Sequence, residues 1–203
     1  MLVKPEPPRR VRNEIARVFP GKRFAWLSQE HSRLVLPADP GEQACGLPGD
    51  GLVTNDPDTL VGVTVADCLP VFLWDTATGA RAVCHSGWKG TGIVREALRL
   101  MKTRYGTSPQ ATRAILGPGI RPCCYAVPRE RAEAFAAEFG HATAFSRDGN
   151  WYIDLAAANK NILLDEGVTA VRIHPECTCC DTRFFSYRRQ GEAFSHMLAI
   201  CGG

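Results

Sequence analysis

Apolar residues recur along this chain at two different periods, and the changes between them outline its elements. Val11, Ile15, Val18 and Phe19 fall on one helical face, which Pro20-Gly21 brings to an end. Residues 24–27 and 33–36 read as short strands, followed by a Pro- and Gly-rich loop over 37–50. Strands are expected at 51–54 and 60–65, and Ile93, Ala97, Leu98 and Met101 then mark an amphipathic helix. In the second half, 113–116 reads as a strand leading into Gly117-Pro118-Gly119. Residues 130–139 read as a helix with Phe135 and Phe139 one turn apart. Asp154 is a suitable N-cap for a helix reaching about residue 165. Residues 168–173 and 184–187 read as extended, and 193–200 as extended or mixed. Neighbouring strands joined by tight turns argue for antiparallel or mixed sheets, so the class is α+β rather than doubly wound.

The apolar runs Val71-Phe72-Leu73-Trp74 and 80–84 flank Asp75-Thr76-Ala77-Thr78-Gly79, the signature of a β-hairpin with a five-residue loop. Pairing Trp74 with Ala80 places Leu69 opposite His85, so Cys68 and His85 emerge together at the open end. Facing residues there have Cβ atoms roughly 5 Å apart. A slip of one residue would turn either side chain to the other face.

At 203 residues, one domain with a sizeable core is expected. Hydrophobic residues at 45% and charged residues at 22% are ordinary globular values, and a net charge of +3 is too small to argue for nucleic acid. Arg9, Arg10 and Arg12 read as a solvated start. Met1 to Pro8 has no apolar core and does not resemble a signal peptide. The longest apolar stretch, 61–74, is broken by Asp67 and Pro70 and falls short of the roughly 20 residues of a membrane span. Nine cysteines, an odd number, fit free thiols in a reducing cytoplasm better than a disulfide set. A soluble, monomeric, cytoplasmic protein is expected.

Thiolate and imidazole together suit zinc or copper, and a catalytic zinc commonly has three protein ligands with one open position. Cys68 and His85 supply two, and His31, just past a predicted strand, is the best third candidate. The same pair also fits a thiol nucleophile with its base. Five histidines without a His-x-His pair argue against a multicopper cluster. Cys177-Thr178-Cys179-Cys180 and Cys123-Cys124 could supply thiolates to a structural zinc. Adjacent cysteines rarely hold one ion cleanly, however, so buried free thiols are expected for these five. Phe184-Phe185-Ser186-Tyr187-Arg188-Arg189 joins an aromatic platform to two guanidiniums able to hold phosphate, although the segment alone favours a strand end with solvated arginines. Asp67 could orient an imidazole, accept from a ribose hydroxyl or cap a turn.

Taken in order, several motifs resemble one family. They are Asp50-Gly51-Leu52-Val53-Thr54, Ala66-Asp67-Cys68-Leu69-Pro70-Val71, His85-Ser86-Gly87-Trp88-Lys89-Gly90, Gly117-Pro118-Gly119-Ile120, Cys123-Cys124-Tyr125 and Arg183-Phe184-Phe185-Ser186-Tyr187-Arg188-Arg189. Together they are similar to the YfiH-like family, also called laccase-domain or polyphenol-oxidase proteins and described as purine nucleoside phosphorylases. The resemblance implies a four-layer α/β/β/α sandwich and a zinc held by His31, Cys68 and His85, with copper as a substitute. It implies phosphorolysis of adenosine, inosine and methylthioadenosine, with some adenosine deamination. Asp67, Arg188 and Arg189 would then face nucleoside and phosphate. Three departures stand out. Gln29-Glu30-His31-Ser32 replaces the family's Gln-Val-His-Gly, and Lys89 replaces an arginine. No segment matches the family's N-terminal Gly-Gly-Val-Ser and Ser-Leu-Asn-Leu stretch, which leaves a trimmed site wall, another substrate or lost activity open. Two rival readings are a metal-free cysteine hydrolase or amidase using Cys68 and His85, peptidoglycan-precursor editing included, and a non-enzymatic metal-binding partner.

Overall fold

Most changes of period mark a boundary in the computed structural model, which describes residues 9–202. The first half forms α1 (Arg9–Val18), β1 (Arg23–Ala25), β2 (Val35–Pro37), β3 (Gly51–Thr54), β4 (Thr59–Val65), β5 (Leu69–Asp75), β6 (Arg81–Ser86) and α2 (Ile93–Tyr105). The second forms β7 (Thr112–Leu116), β8 (Ala126–Val127), α3 (Arg129–Phe139), β9 (Ala144–Arg147), β10 (Asn150–Ile153), α4 (Leu155–Asp165), β11 (Ala170–Ile173), α5 (Tyr187–Gln190) and β12 (Met197–Cys201). The signal-peptide reading of Met1 to Pro8 lies outside the described residues.

Six strands make the main sheet in the order β11-β7-β5-β6-β3-β2, parallel at both edges and antiparallel within. A smaller mixed sheet has the order β1-β4-β12, and β8-β10-β9 form an antiparallel third. The α+β class with mixed sheets is therefore the observed one. Strand β6 shows how the layers join. Ala82 and Cys84 belong to the core shared with Val94, Ala97 and Met101 of α2 and Leu163 of α4. Val83 between them meets Val61, Val63 and Val65 of β4 instead. A strand covered on both faces needs a continuous apolar run rather than alternation, and Ala82-Val83-Cys84 supplies one. Each fully buried Val or Leu on these faces contributes about 1.5–3 kcal/mol. Helix α1 buries Ile15 and runs directly into β1, an edge of the smaller sheet.

Three expectations change. The hairpin pairs Trp74 with Arg81, not Ala80, so Pro70 rather than Leu69 lies opposite His85. The cause is Asp75, whose carboxylate accepts the N–H groups of Ala77 at 2.7 Å and Thr78 at 3.0 Å and so folds the turn around itself. Residues 184–187 form no strand. Ser186 instead caps α5, accepting the Arg189 N–H at 3.2 Å, while its own N–H donates to Gln190 Oε1 at 2.8 Å. The hairpin of β9 and β10 was not foreseen. It turns at Asp148-Gly149, both with positive φ (50° and 76°), as a two-residue hairpin loop requires.

Candidate active site and metal centre

One end of the two facing sheets gathers the chemistry. His85 is near the end of β6, Asp50 immediately precedes β3, Cys68 lies in the bend between β4 and β5, and His31 lies in the loop between β1 and β2. The donor atoms of His31, Cys68 and His85 all lie within 4.8 Å of one another, with His85 buried and His31 exposed. The two imidazoles meet edge to face at 4.8 Å between centroids. The one-residue slip does not part Cys68 from His85, because Cys68 lies outside the ladder, after Asp67 at φ +79°.

Glycines in His85-Ser86-Gly87-Trp88-Lys89-Gly90 let this happen. A Cβ on Gly87 would fall 2.8 Å from Cys68 Sγ and 3.3 Å from His31 Cδ2, and one on Gly90 would fall 3.0 Å from Ser32 O. The His31 loop can therefore close onto β6 only over bare backbone.

The organising residue is Asp50, whose side-chain role the sequence reading missed. Its fully buried carboxylate accepts His85 Nδ1–H at 2.7 Å, which leaves Nε2 as the donor towards the site. The same carboxylate accepts the backbone N–H groups of Glu30 (3.1 Å), His31 (3.0 Å) and Ser32 (2.7 Å), and the Ser32 hydroxyl at 2.8 Å. His31 has φ +60°, an uncommon conformation for a side-chain-bearing residue, and these bonds hold it there. Gln29 fixes the loop's other side through Thr64. It donates to Thr64 O at 2.8 Å and accepts Thr64 N–H at 2.7 Å and its hydroxyl at 2.8 Å. The serine where the family has glycine thus adds a bond to Asp50.

Charge follows geometry. Burial alone would raise the Asp50 carboxyl, but the bonds from His85 and Ser32 prevail and hold it down at about 2. Burial likewise opposes the Cys68 thiolate and the His85 imidazolium. Bonds from His31 and His85 nonetheless bring Cys68 down to about 6, while Asp50 and Cys68 bring His85 up to about 9. Charge at the site thus favours a Cys68 thiolate beside a His85 imidazolium, buttressed by the Asp50 carboxylate.

These ligands line a cavity of 430 Å³ shared with Trp88, Ile120, Tyr125, Arg131, Tyr187, Arg188, Phe194 and His196. Asp67 lines it too, but its carboxylate orients no imidazole. It accepts the Thr178 hydroxyl at 2.7 Å and the Arg188 backbone N–H at 2.6 Å. The Arg188 guanidinium donates to Cys124 O (2.9 Å) and Ala126 O (3.0 Å) and stacks 5.5 Å from the Tyr125 ring, at the cavity wall. Arg189 does not line the cavity, and its guanidinium holds the carbonyls of Thr178, Cys179 and Asp181. A second cavity cation, Arg131 from α3, lies 4.4 Å over the Trp88 ring. It is one arginine of an ordinary amphipathic helix, and nothing in the sequence pattern distinguished it. Lys89 sits 5.5 Å over the same ring, outside the cavity lining.

The remaining cysteines depart from the expected buried free thiols. Only Cys177 of the five is buried, and Cys123, Cys124, Cys177 and Cys180 bring their sulfurs within 4.8 Å of one another. Contacts between residues more than fifty positions apart create this cluster, and spacing alone could not reveal it.

A mixed α+β fold whose His–Cys–His set, able to hold a metal ion, floors a cavity of small-molecule size is of the YfiH type. The chain belongs to the family described as multi-copper polyphenol oxidoreductase laccase, which it matches over residues 5–202. The structure of YlmD from Geobacillus stearothermophilus superposes with a TM-score of 0.85 at 30% identity, covering 94% of this chain and 78% of that one. A purine nucleoside phosphorylase of Clostridium acetobutylicum is 32% identical over 197 residues, 90% of this chain and 78% of its own length. A protein named adenosine deaminase RL5, from an unknown prokaryotic organism, is 39% identical over 162 residues, 75% of this chain and 62% of its own. Among the described residues no helix is long and apolar enough to cross a membrane.

Proposed function

We propose that the chain is a zinc-dependent purine nucleoside phosphorylase acting on adenosine, inosine and methylthioadenosine, with some adenosine deamination. One observation carries the reading: the His31–Cys68–His85 set floors a cavity that also holds two arginines and several aromatic faces. The names of the relatives at about a third identity support the same reading.

The donor set fits zinc. Metal bonds of about 2.0–2.3 Å in a tetrahedron place ligand atoms roughly 3.3–3.8 Å apart, within reach of these three by small rotations. Asp50 provides the carboxylate behind a ligating histidine, and three protein ligands leave a position open. Zinc bound there supplies a Lewis acid for a substrate oxygen or for the water of deamination.

In phosphorolysis, a phosphate oxygen attacks C1′ of the ribose. The electron pair of the C1′–N9 bond leaves with the purine, which takes up the proton that the attacking hydrogen phosphate gives up. Arg131, together with the N–H groups of Arg188 not used on Cys124 and Ala126, would hold the phosphate dianion at the wall. The Asp67 carboxylate offers negative charge as oxocarbenium character builds on the ribose. Trp88, Tyr125, Tyr187 and Phe194 offer faces for the purine. A cavity of 430 Å³ lies in the range of small-ligand sites.

Incubating zinc-loaded protein with inosine and phosphate should give hypoxanthine and ribose 1-phosphate. Failure to form a phosphate-dependent product from inosine, adenosine or methylthioadenosine would end the proposal. The thiolate–imidazolium pair also favours a second reading, a metal-free cysteine hydrolase. Stoichiometric zinc that shields Cys68 from alkylation until a chelator is added would count against it.

A further inference from the structure

We propose that Cys123, Cys124, Cys177 and Cys180 form a second metal site, a tetrathiolate cage for one zinc-type cation that ties two loops behind the active-site wall. It is separate from the His31–Cys68–His85 set and independent of the reaction assigned there. The four sulfurs lie within 4.8 Å of one another, with Cys123–Cys180 at 3.6 Å and Cys124–Cys180 at 3.3 Å. Zinc–sulfur bonds of about 2.3 Å set tetrahedral S–S edges of roughly 3.8 Å, whereas a disulfide requires about 2.05 Å. The observed separations match the first.

The backbone is arranged as thiolate cages require. The turn after Arg121 presents Cys123 and Cys124, with Cys124 N–H and Tyr125 N–H donating to Arg121 O at 2.9 and 3.0 Å. The opposite turn presents Cys177 and Cys180, and a parallel bridge between Gly119 and Cys177 joins the two. The Cys180 N–H closes the turn on Cys177 O at 3.1 Å, and Cys177 Sγ accepts the Arg121 backbone N–H at 3.3 Å. Donors of this kind stabilise a metal-bound thiolate.

A second observation points to anionic charge at this place. Arg121 Nε and Nη1 are buried and have no hydrogen-bond partner among the described residues, while Nη2 donates to Gly117 O at 3.1 Å and to His174 O. Burying two donors of a guanidinium unpaired is costly. Four thiolates around one divalent cation carry two net negative charges, and the guanidinium, which feels Asp154 first, also feels Cys177, Cys123 and Glu176. The loops so tied carry Tyr125, the carbonyls that hold Arg188 and Arg189, and the Thr178 hydroxyl on Asp67. The cage would therefore brace the cavity from behind.

Cobalt substitution tests this on the whole chain in a Cys68→Ala background, where the active-site set has no thiolate. The reduced variant should take up one equivalent of cobalt with tetrahedral d–d bands and strong sulfur-to-cobalt charge transfer. Zinc should displace it. Adding Cys180→Ser, at an exposed position, should abolish or markedly weaken that charge transfer while circular dichroism shows the fold retained. Cys68→Ala protein without thiolate-ligated cobalt would overturn the proposal. So would non-reducing mass spectrometry of freshly isolated protein showing a disulfide within the four. If Cys180→Ser fails to fold, the single variant's spectrum and zinc content still decide.

Discussion

Asp50 accepts five hydrogen bonds with no exposed surface, and two of the three candidate ligands take their positions from it. Asp50→Asn sets an amide NH₂ against N–H groups that now meet a carboxylate oxygen. Chelator competition should show metal affinity lower by about 10–100-fold, and urea unfolding a loss of about 3 kcal/mol. Titration gives the sign independently. The carboxyl is held at about 2 against an ordinary 3.8, so its stabilisation of roughly 2–3 kcal/mol is full above about pH 4 and lost as pH falls through 2. The wild-type advantage over Asp50→Asn should therefore shrink between pH 5 and pH 2. A constant gap would sink this account. Cys68 offers a second test. With its pKa near 6, the thiolate of chelator-treated protein should already alkylate quickly at pH 7, and the rate should fall as pH drops through 6. A rate still climbing through pH 8.5 would show an ordinary thiol. Cys68 and His85 were legible from turn chemistry, and His31 from its place after a strand. Asp50 was not, since its bond to His85 spans 35 positions and an Asp-Gly before a strand also reads as a turn.

At the level of elements, hydrophobic period located α2, α3 and the central strands, because each buries a face long enough to leave a pattern, while the Asp154 cap marked the start of α4. It failed where local chemistry prevailed. Asp75 shifted the hairpin by one position, and Ser186 turned an aromatic, strand-like run into the cap of a short helix. The Gln190 four places after Ser186 was the available signal. The glycines of the 85–90 segment show the opposite case, where a motif's meaning is steric. Gly87→Ala would press a methyl to 2.8 Å from Cys68 Sγ, with the His31 ring at 3.3 Å behind it. Overpacking of this kind costs about 1–3 kcal/mol. It acts on the ligand set, so zinc affinity should fall at least tenfold while far-UV circular dichroism is unchanged. Unaltered zinc binding would mean that the three side chains are not held by that contact.

Across the whole molecule, the cavity draws its walls from elements that meet only at the end of the sheets: Arg131 from α3, Arg188 from α5, and the His–Cys–His set from the loops and strands between. The two sequence-adjacent arginines of the closing motif therefore separate in role. Arg189 spends its guanidinium on backbone carbonyls and should behave as a structural residue, while the remote Arg131 faces the cavity. Removing a charge-assisted contact to phosphate costs about 1.5–3 kcal/mol, or roughly 10–100-fold in binding. Arg131→Ala should raise the phosphate KM by that factor and leave melting temperature nearly unchanged, because its contact within the protein is a stack on Trp88. Arg188→Ala should raise it as well, and also loosen the 124–126 segment that it ties. Arg189→Ala should lower the melting temperature without a selective effect on phosphate. If Arg189→Ala alone raised the phosphate KM, the anion would have to sit by the 178–184 loop, and the wall formed by Arg131 and Arg188 would belong to the nucleoside instead.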